Sequence, residues 1–229
     1  MSRDPVAAVG SARDSWLAER RRIIVERYDT LHAPTYDEEW GAISPSHARM
    51  IWRFLAGCPP GGEILDAACG TGKYWPMILA SGRTVRGIDQ SSGMLRRAAA
   101  KFPEVPTELG ALLDLSSVAA YDGAMCVDAM EMVFPEEWPR VLSGFHHALR
   151  PAGPLYLTVE LADPDAVEAA YRWAQGDGLP VVPGEWLEQD GYHYYPPRDQ
   201  VLEWLADAGF AIVEEAIGDE YLHLIVRRA

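Results

Sequence analysis

Cysteine is scarce in this chain: Cys58, Cys69 and Cys126 are the three among 229 residues, and none belongs to a CxxC pair. A disulfide framework and a thiolate zinc site are therefore not expected, nor is any other metal. Unpaired thiols suit a reducing, cytoplasmic setting. Positive charge is also short. Against 34 acids there are 20 bases, for a formal charge of −14. Such a surface repels a polyanion at long range, so nucleic acid is not expected as a partner. The basic run Arg20–Arg22 falls in a helical pattern and reads as a solvated face. Nothing approaches the roughly 20 consecutive apolar residues of a membrane span. The N-terminal stretch MSRDPVAAVGSARDSW has no apolar core of a signal peptide, so no membrane association is expected.

Apolar residues make up 48% of the chain, enough for one compact domain with a sizeable core. Residues 1–13 are small and polar and read as a flexible tail. Helical spacing begins at Asp14 behind a possible Asp cap, breaks at Ala33-Pro34, and resumes over Pro45–Gly57, giving an N-terminal helical cap over 14–57. From Glu63 short apolar strands alternate with helices as far as Val159, which predicts a parallel sheet covered on both faces. Asp163–Gln175 reads as a helix. Gly176–Pro197 is irregular, aromatic and rich in Gly and Pro, so residues 160–197 read as a lid or acceptor insertion. A helix and two strands close the chain, with Gly218-Asp219 marking an antiparallel hairpin.

The chemistry-bearing segment is Ile64–Tyr74, ILDAACGTGKY. Its Gly turn lies where the first strand meets its helix, the place at which open parallel sheets bind ligands. A P-loop requires glycine at 67 and Ser or Thr at 74, where this chain has Ala67 and Tyr74. The dinucleotide fingerprint requires a small residue three positions after Gly72, where this chain has Trp75. Both phosphate-binding readings fail.

ILDAACGTG instead resembles the first motif of the class I S-adenosylmethionine-dependent methyltransferases, of the small-molecule, methyltransferase-11/25-like type. Gly-Ile-Asp-Gln-Ser at the end of the second strand resembles that family's second motif, Tyr121–Glu131 its fourth strand, and Leu149–Gly153 its turn before strand five. The resemblance covers most of the chain from Tyr28 onward. It implies a Rossmann-like, doubly wound α/β fold with a seven-stranded, mostly parallel sheet. The implied strand order is 3-2-1-4-5-7-6, with the last-paired strand antiparallel. It implies S-adenosylmethionine as cofactor and S-adenosylhomocysteine as product. Asp66, Ala68, Gly70, Gly72, Gln90 and Met94 would bind the cofactor, with Asp89 holding its ribose. Backbone groups of Ala111 and Leu112 would hold the adenine, Asp128 would lie beside the methionine part, and Tyr28 and Tyr36 would close over it. The acid that the family often places after strand three to meet the adenine amine is Ala111 here, with Asp114 close by as an alternative.

The family builds its acceptor side from the N-terminal segment, the end of strand four and the insertion after strand five. In this chain those regions supply His32 and Trp40, then Met132, then Trp173, Trp186, His193, Tyr194 and Tyr195 as substrate contacts. His193, Tyr28 and Glu131 are the candidates for catalysis, because a hydroxyl acceptor needs a base while an amine arrives with its own lone pair. An aromatic lid suits a small, partly apolar acceptor and could also hold a cation. The expected function is methyl transfer to an N, O or C nucleophile of a small molecule, in a monomer or homodimer. The alternatives are a repurposed cofactor-binding module, such as a cyclase or accessory partner, and a peptide or tRNA methyltransferase.

Overall fold

The computed structural model describes residues 5–188 and 191–229, with side chains from 12–187 and 191–229. Helix α1 spans Pro5–Arg27 and runs directly into a π-helical turn, Tyr28–His32. The helix thus starts at Pro5, ahead of the expected Asp14; residues 1–4 lie outside the described residues. Short α2 covers Tyr36–Trp40 and α3 Pro45–Ala56. The start of α3 is written in the sequence: Ser44 caps it by accepting from His47 N at 3.3 Å, and Pro45 occupies its first position.

The alternating region follows as β1 (Glu63–Ala67), α4 (Trp75–Ala80), β2 (Thr84–Asp89), α5 (Ser92–Lys101), β3 (Thr107–Leu109), β4 (Gly123–Cys126), α6 (Trp138–Ala148) and β5 (Pro154–Glu160). The insertion comprises α7 (Pro164–Gly176), β6 (Glu185–Glu188) and β7 (Gly191–Tyr194), and α8 (Arg198–Asp207), β8 (Phe210–Gly218) and β9 (Tyr221–Arg228) end the chain. The seven-stranded sheet has the order β3-β2-β1-β4-β5-β9-β8. Strands β3, β2, β1, β4 and β5 pair in parallel, and β9 is antiparallel to both β5 and β8. With the insertion's strands set aside, this is the expected order. The β8–β9 turn uses Asp219 and Glu220 at φ 51° and 66°, the left-handed pair that fits the twist of a two-residue hairpin.

Two apolar layers enclose the sheet. One is centred on Phe54, Trp75 and Tyr156, the other on Phe134, Trp138 and Phe145. Because β1 and β4 are covered on both faces, their residues are buried in succession and not in alternation, Asp66 among them. Among the described residues no helix is long and apolar enough to cross a membrane.

The segment Gly176–Pro197 departs from the irregular loop expected of it. It folds into the β6–β7 hairpin, with Glu185 facing Tyr194 and Trp186 facing His193. A buried ion pair fastens this hairpin to α1. Arg13 reaches Glu185 through Nη2 to Oε1 at 2.9 Å and Nη1 to Oε2 at 3.1 Å. The fully buried Glu185 also accepts from Tyr192 Oη at 2.7 Å and Val182 N at 2.7 Å. Deleting the cation leaves that carboxylate buried without its counter-charge. Arg13→Ala is therefore expected to cost about 3–5 kcal/mol of unfolding free energy. Urea denaturation measures it, and a loss under about 1 kcal/mol would mean that the pair is solvated.

Candidate active site

All five parallel strands end on one edge of the sheet, and a cleft opens there. Ala68 after β1 and Asp128 after β4 both take left-handed backbone, with φ 60° and 54°, which turns the chain sharply away at the two central strand ends. Gly70 lies in the same region at φ 53°, and no heavy atom stands within 4 Å of where a Cβ would be. The cleft is bordered by Asp66, Ala68, Gly70, Asp89, Gln90, Met94, Ala111, Leu112 and Asp128. Tyr28 and Tyr36 descend into it from the N-terminal segment.

Gly72 is the exception among the expected cofactor residues. It does not line the cleft. A Cβ on it would stand 2.6 Å from the Trp75 ring, so its missing side chain makes room for that indole. Trp75, too large for a dinucleotide turn, lies fully buried beneath the loop and donates Nε1–H to Asp66 Oδ2 at 2.8 Å.

The carboxylates of the cleft differ in their partners. Asp89 accepts from Gly70 N through Oδ2 and from Ser91 N through Oδ1, both at 2.8 Å, so it shapes the glycine turn as well as facing the cleft. Burial raises its carboxyl despite these bonds. Burial would raise Asp128 also, but His47 Nε2 at 2.7 Å, Tyr74 Oη at 2.8 Å and Lys73 outweigh it and hold the carboxyl below its ordinary value. Asp66 has only the indole, and burial lifts it to about 7. Asp114 stays on the exposed side and caps its own turn, its Oδ2 accepting from Ala111 N at 3.4 Å. That bond also engages the Ala111 N–H, which leaves the apolar surface of Leu112 and Leu113 to face the cleft.

A second, larger chamber joins the cleft at Tyr28, Tyr36, Lys73, Asp128 and Met132, which border both. It is lined by His32, Trp40, Trp186, His193 and Tyr195, together with Glu131. Two expected substrate residues are elsewhere. Tyr194 is 6% exposed and packs toward Trp138, because neighbours along a strand point to opposite faces and His193 takes the chamber side. Trp173 is 66% exposed on the outer surface of α7, off the stripe formed by Val167 and Ala174. The chamber residues missed from the sequence are Ile24, Arg27, Lys73, Glu160, Gly191, Tyr192 and Tyr221. Glu160 and Tyr221 face each other across the β5–β9 ladder. An antiparallel last strand was expected, so its first residue could have been placed at the binding edge from that expectation.

Residues 64–153 match the family model described as a methyltransferase domain. Over this segment the chain is similar to the class I methyltransferases. It is 31% identical over 106 residues to an uncharacterized methyltransferase of Synechocystis, covering 46% of this chain and 50% of that protein. It is 27% identical over 128 residues to the dTDP-4-amino-2,3,4,6-tetradeoxy-D-glucose N,N-dimethyltransferase of Saccharopolyspora spinosa, covering 55% and 50%. These matches span about half the length of those two relatives. Among solved structures, 1,6-didemethyltoxoflavin-N1-methyltransferase of Burkholderia thailandensis, with its substrate and S-adenosylhomocysteine bound, superposes at a TM-score of 0.69. Identity there is 19%, with 95% of this chain and 90% of that one covered, a likeness of fold.

The Asp66 environment gives a pH signature. Its folded pKa near 7 lies above the unfolded carboxyl value of about 3.9. Folding therefore favours the protonated form, and ionisation subtracts stability as pH rises between the two values, then levels off. The melting temperature of Asp66→Asn minus that of the parent is expected to grow from about pH 4 to about pH 7 and to stay flat above. A difference independent of pH would mean that Asp66 is ionised throughout.

Proposed function

We propose that this protein transfers the methyl group of S-adenosylmethionine to a nucleophile of a small molecule. The observation that carries the proposal is the junction of the two cavities. A cleft shaped for a nucleoside with an amino-acid tail opens, past Tyr28 and Tyr36, into an aromatic chamber with proton-handling groups. The cofactor supplies a methyl carbon on a sulfonium, an electrophile whose leaving group is already activated.

The chain's own residues then have four tasks. Asp89 accepts from the ribose hydroxyls with the lone pairs not engaged by Gly70 and Ser91. Leu112 and Leu113 pack on the adenine, and Ala68, Gly70 and Asp128 border the methionine part. Tyr28 and Tyr36 close the junction and exclude water. Burial, then Glu131, raises the Tyr28 phenol, so it stays a hydroxyl donor and not a base. His193 receives the acceptor's proton; its Nδ1 is 2.9 Å from Tyr195 Oη and 2.9 Å from Glu160 Oε2. The Saccharopolyspora relative acts, by its name, on an amino sugar, which agrees with a small polar acceptor in such a chamber.

Two measurements test this reading. Calorimetry should show S-adenosylhomocysteine binding, and Asp89→Ala should weaken it by about 1.5–3 kcal/mol, the scale of a charge-assisted hydrogen bond. Unchanged affinity would remove Asp89 from the ribose. His193→Ala should keep that affinity and lower turnover on any acceptor found by screening. Equal turnover would take His193 out of the proton path, and cofactor binding with no transfer to any acceptor would mark a repurposed binding module.

A further inference from the structure

The polar groups of the acceptor chamber do not balance. Glu131 is 5% exposed, borders the chamber, and has a buried Oε2 with no hydrogen-bond partner. Glu160, the last residue of β5, borders the same space, and its Oε2 is likewise buried without a hydrogen bond. His193 Nδ1 stands 2.9 Å from that oxygen, but the bond it makes is to Tyr195 Oη. Burial, and after it the charge of Glu160, holds the Glu131 carboxyl well above its ordinary value. Asp128 adds to the same effect.

Lys73, one cation of the chamber, serves another group. Lys73 Nζ is 3.7 Å from Asp128 Oδ2, in the network with His47 and Tyr74. Arg27 bears on His32, whose imidazole is held below its ordinary value by burial and then by that guanidinium. The charges that bear on Glu131 are negative ones.

A ligand that belongs in this space meets two acids, Glu131 and Glu160, each with a buried oxygen left without a hydrogen bond. An anionic acceptor would add a third negative charge in a place of low dielectric. An alcohol could donate one hydrogen bond and would leave the charge as it is. An ammonium group supplies both positive charge and several donors. The walls agree: Tyr28, Trp186 and Tyr221 present aromatic rings to the same chamber, and ring faces attract cations.

We propose that the acceptor is an amine that enters as its ammonium ion and is held by Glu131 and Glu160 between aromatic rings. This rests on the methyltransferase reading above. One N–H proton passes from the bound ammonium to the carboxylate pair and then, by way of His193, toward the open side of the chamber. The nitrogen is left with a free lone pair.

The test is competition among probes of matched shape. Benzylamine, phenethylamine and cyclohexylmethylamine are each titrated by calorimetry against the alcohol and the carboxylate of the same skeleton, on protein saturated with S-adenosylhomocysteine. At least one amine should bind about tenfold or more tightly than its alcohol, with the carboxylate weakest. Glu131→Gln and Glu160→Gln should bring amine and alcohol toward parity while S-adenosylhomocysteine affinity stays within about twofold. A series in which no amine outbinds its alcohol overturns the proposal, as does a preference that survives both substitutions. Should S-adenosylhomocysteine itself fail to bind, the methyltransferase reading falls. The same series on the protein alone then decides the amine site independently. The parent protein's selectivity answers the question even where a glutamine variant does not fold.

Discussion

Two aspartates in the N-terminal segment hold the binding edge closed. Asp29 accepts from Ser91 Oγ and Gly93 N, each at 2.7 Å, and so completes the N-terminus of α5 from outside that helix. Asp37 accepts from Thr71 Oγ1 at 2.6 Å and Lys101 Nζ at 2.7 Å, and meets Arg97 at 3.1 Å. Both aspartates sit one residue after a tyrosine of the cleft, Tyr28 and Tyr36. The carboxylates therefore set the depth to which the two phenols descend, and the phenols divide cleft from chamber. The close approach that this needs is visible at Gly93, where a Cβ would stand 2.8 Å from Asp29 O.

The rest of the site is a study in carboxylates with unequal company. Asp89 is surrounded by backbone N–H groups and is a structural part of the glycine turn. Asp128 is held ionised by His47, Tyr74 and Lys73. Asp66 has one indole N–H and an apolar surround, and Glu131 has an unfilled oxygen and a like-charged neighbour. In a protein of formal charge −14 these groups cannot be read from composition, since most acids face solvent. What separates them is the number of donors that the fold brings to each, which sets whether the charged form is tolerated.

The sheet was readable because short apolar strands and helices alternate at the spacing of right-handed crossovers, and because Gly218-Asp219 announces the hairpin of the last two strands. The cleft was readable for a related reason: the end of a parallel strand gathers residues local in sequence, so Asp66, Ala68 and Gly70, and Asp89 and Gln90, could be placed along it together. Gly72 does not border the cleft, because a motif gives a glycine's position but not the neighbour it must admit, here Trp75. The lid was harder. Its Gly and Pro content hid the β6–β7 hairpin, and without a strand there was no period of two to separate His193 from Tyr194. Trp173 failed for the helical counterpart of that reason.

By itself the sequence determined the topology, the location of the binding edge and most of the residues along the cleft, because each follows from local pattern and from the shared direction of parallel strands. Tertiary structure alone decided which aromatics of the insertion turn inward, that the Trp75 indole bonds Asp66, and that Glu131 and Glu160 border one chamber. Those two glutamates come from the ends of different strands, 29 positions apart in the chain. Their coupling depends on distance and dielectric, quantities that exist only once the sheet has brought β4 beside β5.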